Sequence, residues 1–169
     1  MPQELAPVSS GTENAEFKEL LRQAESGNSN AQAVVGSIYC DGKLIEQDYK
    51  EAFKWFQKAA EQELTMAQKI VGAMYTSGKG VSQDYRKGLY WYKKAAEDGD
   101  AESQKITGIA YSEGKWVSQD YIQAHMWLNL AASSEEEAAA LRDELAKKMT
   151  PSQIEKAQEL ARNFVLKSE

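Results

Sequence analysis

The chain has 169 residues, 42% of them apolar and 27% charged, the balance of a soluble folded domain rather than a disordered segment. Lys and Arg number 20 against 26 Asp and Glu, and a net charge of −6 argues against a surface that holds nucleic-acid phosphates. One Cys excludes an internal disulfide framework, one His argues against a His-based metal cluster or catalytic pair, and no apolar run approaches the roughly 18 residues of a membrane-spanning helix.

Residues 1–14 are rich in Pro, Ser, Gly, Thr and Asn and read as a flexible tail. The segment from Met1 to Pro7 has neither the basic start nor the apolar stretch of a secretion signal. Two locations stay open: the cytoplasm, or export of a form trimmed of its signal.

Beyond the tail the chain repeats itself every 36 residues. Gly36, Gly72 and Gly108 share this interval, as do Tyr39, Tyr75 and Tyr111, and Gly42, Gly78 and Gly114. So do Asp48, Asp84 and Asp120, the tyrosines that follow them, and Trp55, Trp91 and Trp127. Gln32, Gln68 and Gln104 recur likewise, and so do the pairs Ala59-Ala60, Ala95-Ala96 and Ala131-Ala132. A short period in three copies predicts stacked supersecondary units. Units fall at about 31–66, 67–102 and 103–133. Phe17, Lys18 and Ala24 match Phe53, Lys54 and Ala60, so 15–30 reads as a half unit covering the first face.

Each unit reads as two helices. The first is the shorter, from about Ala31 to Cys40 in unit one. Gly36 sits in its middle, where Gly costs about 0.5–1 kcal/mol relative to Ala, so its recurrence predicts a close helix crossing. Gly42, Gly78 and Gly114 end these helices as left-handed residues. The second helix starts at Asp48, with Glu51 closing a capping box. Tyr49, Ala52, Phe53, Phe56 and Ala60 then form one apolar stripe, widened by Trp55 and Ala59. After Ala132 the period stops. Ser134 and Glu137 predict a capping box and a helix to about Met149. Thr150, Pro151 and Gln153 start a last helix to about Leu166. Residues 134–169 thus read as a capping hairpin.

These residues resemble the Sel-1-like repeat family, relatives of the tetratricopeptide repeat. Unit two carries the family pattern most fully, in Ala67, Gly72, Tyr75, Gly78, Gly80, Val81, Asp84, Tyr85, Trp91, Tyr92, Lys94, Ala95 and Ala96. Units one and three depart at the second loop glycine, with Leu44 and Trp116. Unit two departs at Gly88, where the others carry Ala52 and Ala124. The resemblance implies an all-α, right-handed superhelical α/α solenoid of 36-residue helix pairs. It also implies a non-catalytic scaffold or adaptor that binds another protein or peptide on its concave face, in a bacterial setting. Neither cofactor nor metal is implied.

The periodic aromatics read as core packing rather than stacking platforms. His125 occupies the register of Phe53 and Leu89 and reads as a packing residue. Cys40 lacks a neighbouring basic cluster to activate it. Glu135-Glu136-Glu137 reads as a complement to a helix dipole. Partner-binding candidates come from first-helix positions turned away from the core: Ala33, Ser37, Cys40 and Asp41; Lys69, Ala73, Thr76 and Ser77; Lys105, Ile109, Ser112 and Glu113. These vary between units. Trp116 joins them, standing in a loop where the family prefers Gly and where no repeated core slot awaits it. The expected partner is a protein or peptide, without nucleic acid or membrane insertion, bound by a monomer. Two other classes stay open from the sequence: an exported enzyme or cell-wall-fragment binder on the same fold, and a structural assembly module.

Overall fold

The computed structural model describes residues 11–164. Among them are nine α-helices and no strand. These are α1 (Gly11–Glu25), α2 (Ser29–Asp41), α3 (Tyr49–Glu61), α4 (Thr65–Ser77), α5 (Tyr85–Glu97), α6 (Ala101–Glu113), α7 (Tyr121–Ala131), α8 (Glu136–Ala146) and α9 (Pro151–Arg162). Each helix from α1 to α7 packs chiefly on its sequence neighbours, and α7 is covered by both α8 and α9. This one-dimensional contact pattern defines an α/α solenoid sealed at its C-terminal end.

The three mid-helix glycines lie where the two helices of a pair cross. A Cβ at Gly36 would sit 3.0 Å from ring carbons of Phe56; at Gly72, 3.1 Å from the carbonyl oxygen of Gly88; at Gly108, 2.7 Å from Leu128 Cγ. Gly88 has its own cause. A Cβ there would lie 2.5 Å from the γ-methyl of Thr76. Units one and three place the unbranched Cys40 and Ser112 opposite Ala52 and Ala124, so the methyl moves between the two helices.

The turn inside each pair is stitched to the first helix. Gly42, Gly78 and Gly114 take φ of 65, 73 and 67°, and each N–H donates to a carbonyl one turn back. Gln47, Gln83 and Gln119 each donate a side-chain N–H to the carbonyls of Cys40, Thr76 and Ser112, at 2.6, 2.7 and 2.8 Å. The N–H groups of Asp48, Asp84 and Asp120 donate to the carbonyls of Tyr39, Tyr75 and Tyr111. Carbonyls orphaned at the helix end are thereby satisfied. Between units, Gln32 and Gln104 donate to the carbonyls of Ala24 and Ala96, tying the end of one second helix to the next first helix.

Several local expectations need correction. The first helices are not shorter: α2 and α3 each have 13 residues, as do α4 and α5. The helix α1 begins at Gly11, inside the expected tail, because no helix breaker follows it; residues 1–10 lie outside the described residues. Asp48 caps α3 by accepting from Lys50 and Glu51 N–H, but the box is not reciprocal. Its own N–H is taken by Tyr39, and the Glu51 carboxylate pairs with Lys54. Ser134 does not cap α8. Glu135 holds the N-cap position without a side-chain cap bond, because its carboxylate and that of Glu137 turn to Lys105. The helix ends at Ala146 rather than Met149. The Thr150–Gln153 box does form, and α9 stops at Arg162; Leu166 lies outside the described residues. Ala138, Leu145, Met149 and Ala157 bury against Ala124, Leu128 and Ala131 of α7, while Phe164 meets Trp127 edge-on at 5.2 Å.

Candidate binding site

The first-helix row is less free than its variability predicts. Ala33 is fully buried in the core beside Leu64. Lys69, at the same register, bonds Asp100 at 3.2 Å and Glu102 at 3.0 Å. Lys105 bonds Glu135 at 2.7 Å and Glu137 at 2.8 Å. Each lysine meets the N-cap and N2 acids of the helix two further on, α6 for Lys69 and the capping helix α8 for Lys105. In unit one Leu64 stands at the first of those registers and packs beside Ala33, whereas Met66, at the second, is 50% exposed. The position therefore carries an interlock between units, polar twice and apolar once. Its hydrogen bonds to Glu135 and then Glu137 push the Lys105 ammonium pKa upward, and the bond to Glu102 does the same for Lys69.

The hydroxyls in the row turn back on their own helices. Ser37 donates to the Ala33 carbonyl at 3.1 Å; Thr76 and Ser77 donate to that of Ala73 at 3.0 and 2.8 Å. Asp41 and Ala73 are exposed, Ser112 is half-buried, and Glu113 pairs with Lys115 at 2.9 Å. Cys40 is half-buried. Burial first, then the Asp41 charge, push its thiol pKa up against the smaller opposing pull of Lys79, the reverse of the shift that activates a thiol.

His125 lies 3% exposed between α7 and its cover, with Nδ1 making no hydrogen bond. Burial first, then the Arg142 charge, hold its pKa below the ordinary 6.5, with Asp143 opposing. The unfolded chain therefore takes up this proton more readily than the folded one. Stability is full above pH 6.5 and declines as the pH falls through and below that value. His125→Leu, which installs the residue of the Leu89 register, is expected to make the urea midpoint fall less than that of wild type between about pH 8 and about pH 5.5. Parallel urea titrations of both proteins at the two pH values check this.

Trp116 is half-buried and stacks on Tyr85, ring centroids 5.6 Å apart and planes at 9°. It separates two depressions. The smaller, of about 240 Å³, is lined by Ile106, Ile109, Ala110 and Glu113. The larger, of about 900 Å³, runs along α5, with Tyr85, Arg86, Leu89, Tyr90 and Lys93 on one wall and Tyr111, Lys115 and Trp116 on the other. Tyr85 and Tyr90 are 44% and 55% exposed. Tyr85 thus departs from the core role expected of the registered tyrosines, whereas Trp55 and Trp127 keep it.

The groove exists because unit three differs from unit two in its loop. Gly80, with φ of 72°, lies so close to the start of α3 that a Cβ would stand 1.9 Å from the Tyr49 carbonyl oxygen. Trp116 occupies that register one unit on. Its ring spaces the loop from Tyr85, where Gly80 lets the preceding loop press on Tyr49. Among the described residues no group of three or more His, Cys, Asp or Glu could hold a metal ion, and no helix is long and apolar enough to cross a membrane.

A stack of helix pairs with glycine crossings, capped at one end and bearing an aromatic groove, belongs to the α/α repeat solenoids. The Sel1 repeat model matches residues 29–64, 65–100 and 101–135, and the chain belongs to the Sel1 repeat family. Among solved structures it is similar to a Sel1 repeat protein from Oxalobacter formigenes, with 33% identity over 76% of this chain and 98% of that one and a TM-score of 0.71. It is also similar to a protective antigen of uropathogenic Escherichia coli with an SLR fold, with 30% identity, 95% of this chain, 35% of that chain and a TM-score of 0.77. The chain thus spans about a third of that antigen. Cysteine rich protein B of Helicobacter pylori shares the fold, with 22% identity over 79% of this chain and 99% of that one and a TM-score of 0.61. No curated protein matches the chain.

Proposed function

We propose that the chain is a non-catalytic scaffold whose monomer holds a segment of another protein. Membership of a family whose repeats commonly mediate protein interactions supports this reading. The observation that carries it is the groove walled by Trp116, Tyr85 and Tyr90, whose exposed aromatic surface serves no repeated packing need. Ser37, Cys40, Asp41, Thr76, Ser77, Ile109, Ser112 and Glu113 form the second part of the proposed surface. Lys69 and Lys105 contribute through the interlock that holds α4 against α6 and α6 against α8. Neither nucleic acid nor membrane insertion belongs to this reading.

Affinity capture from the native cell with wild type and Trp116→Ala tests it. Loss of a hot-spot aromatic costs about 2 kcal/mol or more, so recovery of the partner is expected to fall at least tenfold. The Tyr85 stack is worth about 0.5–1.5 kcal/mol at most, and its exposure keeps the loss near the lower end. The melting temperature is expected to fall by less than about 4 °C. A larger stability loss with capture intact would make Trp116 a packing residue and move the site to the first-helix row.

A further inference from the structure

The sign of the charge around the groove differs from that of the chain. Three basic residues, Arg86, Lys93 and Lys115, line it against one acid, Asp84, in a protein of net charge −6. Asp84 is occupied, since its carboxylate accepts from the Lys87 N–H at 3.0 Å and lies 3.9 Å from the Lys87 ammonium. Lys115 is paired with Glu113. Arg86 and Lys93, by contrast, make no hydrogen bond or ion pair among the described residues. They stand on the same helix face as Tyr85, Leu89 and Tyr90. Neither residue is repeated: unit one has Lys50 and Gln57 at these registers, and unit three has Ile122 and Asn129.

We infer that the groove takes an acidic peptide segment, one in which an aromatic or aliphatic side chain sits beside two or more carboxylates. The inference rests on the scaffold reading above and adds the chemistry of the partner. The apolar anchor enters between Trp116 and Tyr90 over Leu89, and the flanking carboxylates meet Arg86 and Lys93. Guanidinium binds carboxylate in two parallel hydrogen bonds, which fixes the peptide's direction. The chain's overall negative charge does not oppose this at physiological salt. Screening acts over about 8 Å, so the basic residues of the groove wall outweigh acids elsewhere. The surplus charge gives selectivity and association rate, while the aromatics give most of the affinity.

The test is selection from a random dodecapeptide display library on the full chain, followed by binding of the leading peptide and of its counterpart with Asp and Glu replaced by Asn and Gln. Enriched sequences are expected to carry Asp and Glu several-fold above the starting pool, next to Phe, Tyr or Leu. The acidic peptide should bind at least tenfold tighter than its amide counterpart. The double variant Arg86→Ala, Lys93→Ala should lose that preference while melting within a few degrees of wild type, and Trp116→Ala should weaken both peptides alike. Enrichment without acidic excess, an acidic preference kept by the double variant, no enrichment at all, or equal competition by a single-stranded oligonucleotide would each overturn the inference. Such a failure leaves the scaffold reading standing if partner capture still depends on Trp116. Loss of both removes it as well.

Discussion

Gly72→Leu is expected to destabilise the protein by more than 3 kcal/mol, beyond the usual range for a point change. For a chain of this length that is a fall of about 10 °C or more in melting temperature. Gly72 sits where α4 crosses α5, and the opposing position, Gly88, also lacks a side chain. A Cβ alone would lie 3.1 Å from the Gly88 carbonyl oxygen and 3.1 Å from Tyr92 Cγ, tight but close to what a small shift can absorb. The rest of a leucine side chain has no such escape. One neighbour is backbone and the other a buried ring, so the two helices must separate along their whole contact. Gly72→Ala is the informative control. It gains about 1 kcal/mol of helix propensity and loses a comparable amount to the tight contact, so its net effect is expected to be small. Urea unfolding followed by far-ultraviolet circular dichroism separates the two. A leucine variant as stable as the parent would mean that the crossing does not account for the glycine.

The same logic explains why the fold was legible and the groove was not. Gly36, Gly72 and Gly108 recur because every pair solves one crossing problem, and a recurring solution is visible as a period. Asp48, Asp84 and Asp120 recur because each caps a second helix with its carboxylate and fastens the loop with its N–H. A groove made by a difference between units leaves no such trace. Tyr85 shares its register with Tyr49 and Tyr121 and reads as part of an apolar stripe, yet it stands at the first position of α5, outside the core. Tyr90 was the available signal, an aromatic where unit one carries Lys54, and nothing in the helical period demands it there. Lys69 and Lys105 show the opposite error. They read as variable surface because unit one has Ala33, but the N-cap acid they meet is Leu64 in unit one, packed beside that alanine. The variation is compensated within the scaffold, and only the placement of α6 and α8 brings the matching residues together.

Gly80→Ala is expected to cost about 3 kcal/mol, although the units on either side carry Leu and Trp at the same register. The residue's φ of 72° lies in the left-handed region, where an L side chain adds roughly 1–2 kcal/mol. The larger part is steric. The added carbon would stand 1.9 Å from the Tyr49 carbonyl oxygen and 2.4 Å from its carbonyl carbon. Neither atom can rotate away, because both belong to the first turn of α3, which Asp48 caps. The loop must lift instead. Lifting it breaks the contact between units one and two and draws Lys79 away from the Tyr49 ring, 5.5 Å from its ammonium. What remains would approach the loop of unit three, in which no residue between Gly114 and Gln119 has positive φ and Trp116 stacks where Gly80 pressed. The variant therefore measures how far one loop sequence decides between a closed and an open groove. A denaturation midpoint equal to that of wild type would show that the loop passes freely between the two arrangements. In that case Trp116 would no longer account for the groove that opens beside Tyr85.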